Sequence, residues 1–170
     1  MDIIKTKRLI IRPLTPNDTS FILELLNEPA FHKYIGDKGV RTETDALNYL
    51  NNGPIANYTN FGYGLYHVTE KTSGVSVGIC GLKNRAALDI PDLGYAFLSS
   101  SWGHGYATEA GSAVVNYTKQ HLNIDRIAAI THPENKGSIR VLEKIGFTFQ
   151  KEVYLDDFEG PTSLFEIDLN

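Results

Sequence analysis

The chain has 170 residues, 42% of them hydrophobic, with 16 basic and 20 acidic side chains and a formal charge of −4. At ~150 residues per domain this is one domain, 1–170, large enough to bury a core without staples. The composition excludes a disordered chain and argues against a nucleic-acid footprint over the whole surface; the lone Cys80 excludes an internal disulfide, a cysteine zinc cage and a Cys-x-x-Cys redox pair. No apolar run approaches the ~18 residues of a membrane helix. The N-terminal MDIIKTKRLIIRPLTPND has neither an uninterrupted apolar stretch nor a small-residue cleavage site, so a cytoplasmic protein is expected.

Arg8–Leu14 is short, apolar and bounded by Pro13, which predicts a strand. Pro16-Asn17-Asp18 opens a helix with Phe21, Leu25 and Leu26 on one face, ended by Asn27-Glu28-Pro29. Thr42 and Asp45 have capping-box spacing ahead of a second short helix, which Asn52-Gly53-Pro54 should end. Gly62–Thr69 and Val75–Leu82 read as a hairpin around Glu70–Gly74, and Pro91–Ser99 as the next strand. Tyr106–Leu122 is a helix whose Ala107, Ala110 and Gly111 allow close packing on a sheet. Arg126–Thr131 is a buried-strand run and Lys136–Ile145 a helix. Gly146 suits the left-handed residue after that helix, with Phe147 folding back on Val141 or Leu142. Phe147–Tyr154 and Ser163–Leu169 close the chain as strands. Hairpins followed by a crossover helix predict an α/β fold, a mixed sheet with helices on its faces.

The strongest local signal is Trp102-Gly103-His104-Gly105-Tyr106-Ala107-Thr108-Glu109, between a strand and a helix. Two glycines let a ligand approach the backbone, and the free N–H groups of a helix start favour an anion. A Walker loop needs Gly-Lys-Ser/Thr, and the run Gly105-Tyr106-Ala107 lacks it. A dinucleotide fingerprint needs a third glycine where Thr108 stands, and its ribose-binding acid should follow a strand, whereas Asp125 precedes one. A phosphate cradle and a plain packing turn both remain open on this motif alone. The five histidines show no paired ligand spacing, so no metal is assigned. Cys80 reads as core, against a covalent nucleophile, and Tyr58, Phe61, Tyr63, Tyr66 and Tyr95 mainly as packing, with some of them candidates to line an acceptor pocket.

Further on, Asn135-Lys136-Gly137-Ser138-Ile139-Arg140-Val141-Leu142-Glu143-Lys144-Ile145-Gly146-Phe147 resembles the second signature of the GNAT acetyltransferases. Their first signature is Gln/Arg-x-x-Gly-x-Gly/Ala ahead of a long helix. WGHGYA fits it with Gly105 and Ala107, although Trp102 stands where Gln or Arg is usual. The run WGHGYATEA and the opening TKRLIIRPLTPND resemble the ribosomal-protein-alanine N-acetyltransferase branch, so the likeness covers essentially the whole chain.

The resemblance implies a central mixed, twisted sheet with helices on both faces and acetyl-CoA as co-substrate in a split between two parallel strands. Those strands are the one ending at Ser99 and Arg126–Thr131. The pyrophosphate is expected on the backbone N–H groups of Gly103, His104, Gly105, Tyr106, Ala107 and Thr108, and the pantetheine arm along Phe97, Leu98 and Ser99. Asn135 is expected to bond that arm as well as cap its helix; Lys136 and Lys144 either approach the phosphates or are solvated surface. Many members carry a tyrosine acid where this chain has Leu142, so Ser138 is the substitute expected at the thioester sulfur, against an ordinary first-turn serine. Asp92 is the expected base, against a strand-start turn residue. Asp156, Asp157, Asp37 and Arg41 are expected on the acceptor side. The resulting expectation is acetyl transfer to a primary amine, a protein N-terminus or a small molecule, directly in a ternary complex; the competing readings are a non-catalytic acyl-CoA-binding module and a dinucleotide oxidoreductase. The −4 charge favours a cationic acceptor without choosing one. Neither nucleic acid nor membrane is an expected partner, and a homodimer is admitted.

Overall fold

The computed structural model describes residues 4–170, so the first three residues of the N-terminal segment lie outside the described residues. Strand β1 (Ile4–Lys5) pairs with β2 (Leu9–Pro13), whose alternation buries Leu9 and Ile11 and whose proline stands at the strand end. A short 3-10 turn at Pro16–Asp18 leads into α1 (Thr19–Leu26), which buries Phe21, Ile22, Leu25 and Leu26 at helical spacing. Pro29 does not end the helical region: it begins α2 (Pro29–Tyr34), because a proline at the first helical position lacks an N–H that would be unpaired anyway. Thr42 and Asp45 form the capping box of α3 (Glu43–Leu50).

Asn52-Gly53-Pro54 also fails to end its helix. The chain widens into a π turn over Asn51–Ile55 and continues as α4 (Ala56–Phe61), ending at the left-handed Gly62. A widened turn accommodates the hydrogen bond that Pro54 cannot donate. Then follow β3 (Leu65–Glu70), β4 (Ser76–Lys83), β5 (Asp92–Phe97), α5 (Tyr106–His121), β6 (Arg126–Thr131), α6 (Lys136–Ile145), β7 (Thr148–Val153) and β8 (Thr162–Asp168).

The eight described strands form one sheet in the order β1-β2-β3-β4-β5-β6-β8-β7. Every pairing is antiparallel except β5 with β6, joined through the crossover helix α5. The helices cover both faces. One core cluster joins the sheet to α5 and α6 through Val114, Leu142 and Phe147. The other joins it to α1–α3 through Ile22, Leu25 and Leu50. Each such fully buried aliphatic side chain contributes ~1.5–3 kcal/mol. A Cβ on Gly111 would lie 2.5 Å from Ile145 Cδ1, so the Ile145 side-chain tip packs directly over this glycine where α6 meets α5. Cys80 is buried in the first cluster, as its strand position predicts.

One buried polar group ties the start of the fold together. Asp18 takes both outer nitrogens of Arg12 at 2.9 Å and the Thr15 N–H at 2.8 Å. Burial pushes its carboxyl up, but those hydrogen bonds and the nearby charges outweigh it and hold it below the usual range. His67 packs tilted against the Phe21 ring, and burial, with the Arg12 charge and against Asp18, pushes its imidazole down to about 4. Unfolded, it titrates at ~6.5. Between these values the unfolded chain binds more protons, so this contribution to stability is intact above pH 6.5 and lost as pH falls to 4. Urea unfolding should therefore show a loss of ~2–3 kcal/mol across that window, and His67→Gln should flatten it. An equally steep loss in the variant assigns the acid sensitivity to other groups.

Candidate active site

The turn before α5 leaves a row of backbone donors free. Gly103 and Gly105 both adopt left-handed φ, +79° and +78°, which any side chain would strain. Gly105 is the N-cap residue and no side chain caps the helix. The first helical bond is Glu109 N–H to Gly105 O, so the amides of Tyr106, Ala107 and Thr108 have no intrahelical acceptor. With the helix dipole they make an anion site. Glu109 anchors this turn: it accepts from Arg8 N at 2.8 Å, Arg8 Nε at 2.7 Å and Thr6 Oγ1 at 2.6 Å. The β1–β2 turn thus holds the cradle in place.

Beside it the sheet opens. β5 and β6 share one residue pair, Asp92 with Ala128, at their N-terminal ends. Beyond it they diverge, and a cleft of about 730 Å³ runs between them, reaching from the α5 cradle to α1–α3 on the other face. Because Leu98 N–H bonds Val77 O, the adjacent Phe97 turns its backbone groups toward the gap. Its carbonyl accepts from Trp102 Nε1 at 2.9 Å, and the Ser99 N–H donates to Glu28 at 2.8 Å. The strand edge is therefore already partly bonded, by a tryptophan that is 53% exposed and by a carboxylate from the start of α2.

Asn135 caps α6, its Oδ1 accepting from Ser138 N at 3.1 Å. The Ser138 hydroxyl lies 2.7 Å from Tyr95 Oη, which also donates to Ser138 O at 3.3 Å. Burial pushes the Tyr95 phenol well up, so it stays protonated and acts as a donor. Asp92 is 1% exposed. Both its oxygens accept from Arg85 Nε, at 3.0 and 3.1 Å. Burial pushes its carboxyl up against the pull of Arg85 and Lys83, and it ends above the usual carboxylate range.

The cleft brings together Asp92, Phe97, Asn135, Lys136, Ser138, Lys144 and, from the cradle, Gly103, Gly105, Tyr106, Ala107 and Thr108. His104 stacks on Tyr106 and does not line it. Leu98 sits in the core beneath it, and Ser99 is outside the lining. Asp37 and Arg41 pair with one another in the α2–α3 loop, away from the cleft wall. Asp156 and Asp157 are exposed and also off it, although Phe158 of the same loop lines it. Leu142, where a tyrosine acid is usual, is buried core. Sequence reasoning missed Glu28, Lys83 and Arg85. The first lies in an apparent helix stop, the second ends β4 and the third lies in the loop that follows, with no motif to mark them. Among the described residues no three metal-binding side chains cluster and no helix is long and apolar enough to cross a membrane.

A mixed sheet split at its parallel pair, with an anion cradle at the crossover helix, is the architecture of an acyl-transfer enzyme. Residues 8–148 match the acetyltransferase (GNAT) domain, and the chain belongs to that family of N-acetyltransferases. It is 32% identical over 155 residues to the uncharacterized protein YkkB of Bacillus subtilis, covering 87% of this chain and 86% of that one. It is 28% identical over 167 residues to the uncharacterized N-acetyltransferase p20 of Bacillus licheniformis, covering 94% and 88%. A GNAT-family acetyltransferase structure from Bacillus anthracis superposes with a TM-score of 0.82 at 26% identity over 99% of both chains. The ribosomal L7/L12 alpha-N-protein acetyltransferase RimL, solved in complex with coenzyme A, shares the fold with a TM-score of 0.85 at 15% identity over 98% of both chains.

Proposed function

We propose that the protein transfers the acetyl group of acetyl-CoA to a primary amine, directly, in a ternary complex within the split of the sheet. The observation that carries this reading is the cleft itself, which reaches from an uncapped helix N-terminus on one face to α1–α3 on the other. It joins a place for phosphates to a separate entrance for an acceptor. The residues present fit the co-substrate: the free amides of 105–108 suit a pyrophosphate, and the Phe97 edge suits an extended amide-bearing arm once Trp102 yields its carbonyl.

Bound there, acetyl-CoA supplies an activated acyl carbon and a thiolate leaving group. Asp92, held at the parallel pair, takes the proton that the acceptor ammonium must lose, directly or through a water. The amine nitrogen then forms a bond to the acyl carbon as the carbon–sulfur bond breaks. Ser138 donates a hydrogen bond to the departing sulfur, and the second proton that the nitrogen sheds on becoming an amide passes, through the Ser138 hydroxyl or water, to that sulfur to give the thiol. Tyr95 supports that donor. Its phenol gives its own proton to the Ser138 oxygens, leaving the serine's proton for the sulfur. Asn135 fixes the first turn of α6 on which Ser138 stands.

The test is release of free thiol from acetyl-CoA across a panel of primary amines, beside calorimetry with acetyl-CoA alone. Turnover with N-acetylated product is the expected result. Tight binding without turnover on any amine favours an acyl-CoA-binding module instead. RimL and the branch resembled point to a peptide N-terminus as one acceptor class; small amines are the other.

A further inference from the structure

The acceptor end of the cleft holds more hydrogen-bond donors than acceptors. Lys83 ends β4 directly opposite Asp92, and cross-strand neighbours of opposite charge ordinarily pair. Here they do not. Asp92 gives both oxygens to Arg85 Nε, and the Lys83 stem lies across Gly94, where a Cβ would meet its Cδ at 3.2 Å and Cγ at 3.5 Å. Among the described residues the Lys83 ammonium has no salt-bridge or hydrogen-bond partner. It is nevertheless largely withdrawn from water, and burial, with the charges of Arg85 and Lys38 and against Asp92 and Asp157, pushes it down to about 8.

Arg85 is in the same condition. Its Nε is spent on Asp92 and its guanidinium lies over the Phe158 ring at 5.6 Å, two contacts that hold it still. Its two terminal nitrogens have no acceptor among the described residues. Lys38 lines the same end of the cleft. Of the other carboxylates, Glu28 already accepts from Ser99, Glu134 stands beside the start of α6, and the exposed Asp157 attracts Lys83 without bonding it or Arg85. Half-buried cations without acceptors are costly to a folded protein, and an arriving anion removes that cost.

We propose that the acceptor is an amine that also carries a carboxylate, with the carboxylate bound by the Lys83 ammonium and the free fork of Arg85. An arginine fork matches a carboxylate's two oxygens. The arrangement also sorts a zwitterion: the carboxylate meets Lys83 and Arg85, while the ammonium faces Asp92, held by the same guanidinium. The inference rests on the N-acetyltransferase reading and deepens it. It also reverses the preference for a cationic acceptor drawn from the net charge.

The test measures kcat/KM by thiol release for matched acceptors: free amino acids against their amides, and N-terminal dipeptide amides with Asp or Glu in second place against Asn or Gln. The acid member of one pair should be preferred by about tenfold or more. Lys83→Gln should cut that acid-to-neutral ratio at least about fivefold, and Lys83→Arg should largely restore it. A preference confined to the amino-acid pair identifies a small acceptor; one confined to the dipeptides identifies an acidic peptide end. Turnover with equal or greater preference for neutral amines or polyamines overturns the inference while leaving the acetyltransferase reading intact. So does a ratio that Lys83→Gln leaves unchanged. No thiol release on any amine overturns both.

Discussion

Gly105→Val should weaken acetyl-CoA binding by about a hundredfold or more, ~2.7 kcal/mol, in a protein that still folds. Gly105 sits at φ +78°, and a β-branched side chain there is strained by ~1–2 kcal/mol. That strain is a stability cost and does not by itself weaken binding. The binding loss comes from a side chain filling the space in which phosphate oxygens must reach the amides of 105–108. Added atoms also crowd Arg8, whose Nη2 lies 3.4 Å from where a Cβ would be. Gly74→Val separates the two effects. Gly74 has φ +72° in the β3–β4 turn with nothing within 4 Å of its Cβ position, so it should lose similar stability and keep its affinity. Calorimetry on both folded variants reads the difference. Undiminished affinity in Gly105→Val removes the cradle from the account.

Asp92→Asn should lower kcat about 10²–10⁴-fold at neutral pH, the range for loss of one positioned base. In the native protein burial raises the Asp92 carboxyl, so activity should fall as pH drops through that raised value, where the base becomes protonated. In the variant, activity should recover as pH rises, because the acceptor amine then deprotonates unaided. Ser138→Ala should behave differently: a modest loss at every pH, with acetyl-CoA affinity little changed, because its hydroxyl only bonds the leaving sulfur. Removing Asp92 leaves Arg85 unpaired in a buried place, a destabilisation of about 3 kcal/mol or more. The double variant Asp92→Asn, Arg85→Gln relieves that charge and should show the same pH profile. A wild-type profile in both variants makes Asp92 a structural ion-pair partner and passes the base role to water.

What was legible in the sequence was chemistry confined to neighbouring residues. The end of α6 is the best case. Asn135 caps its start, Gly146 takes φ +115°, and Phe147 N–H bonds Leu142 O, as spacing and residue type predict. The two-glycine turn is equally local, because left-handed φ belongs to the residue itself. The helical breaks were misread because proline chemistry depends on register. Pro29 opens α2 and Pro54 lies inside a π turn, while both look like stops in isolation. β1 was invisible because two residues carry no period. The acceptor side was least legible. Arg85 meets Asp92 across a loop, Glu28 reaches Ser99 from α2, and Tyr95 meets Ser138 from another strand. These pairings depend on how the sheet is assembled and leave no short pattern along the chain.

The central claim is direct transfer between two substrates held together in one cleft. Initial rates of thiol release with acetyl-CoA and an active amine both varied test it most directly. Direct transfer gives intersecting double-reciprocal lines, no acetylated protein on rapid quench, and the same pattern in Cys80→Ala, whose thiol is fully buried and pushed far up by that burial. Parallel lines, with an acetyl group trapped on Cys80 or any other side chain, would contradict it.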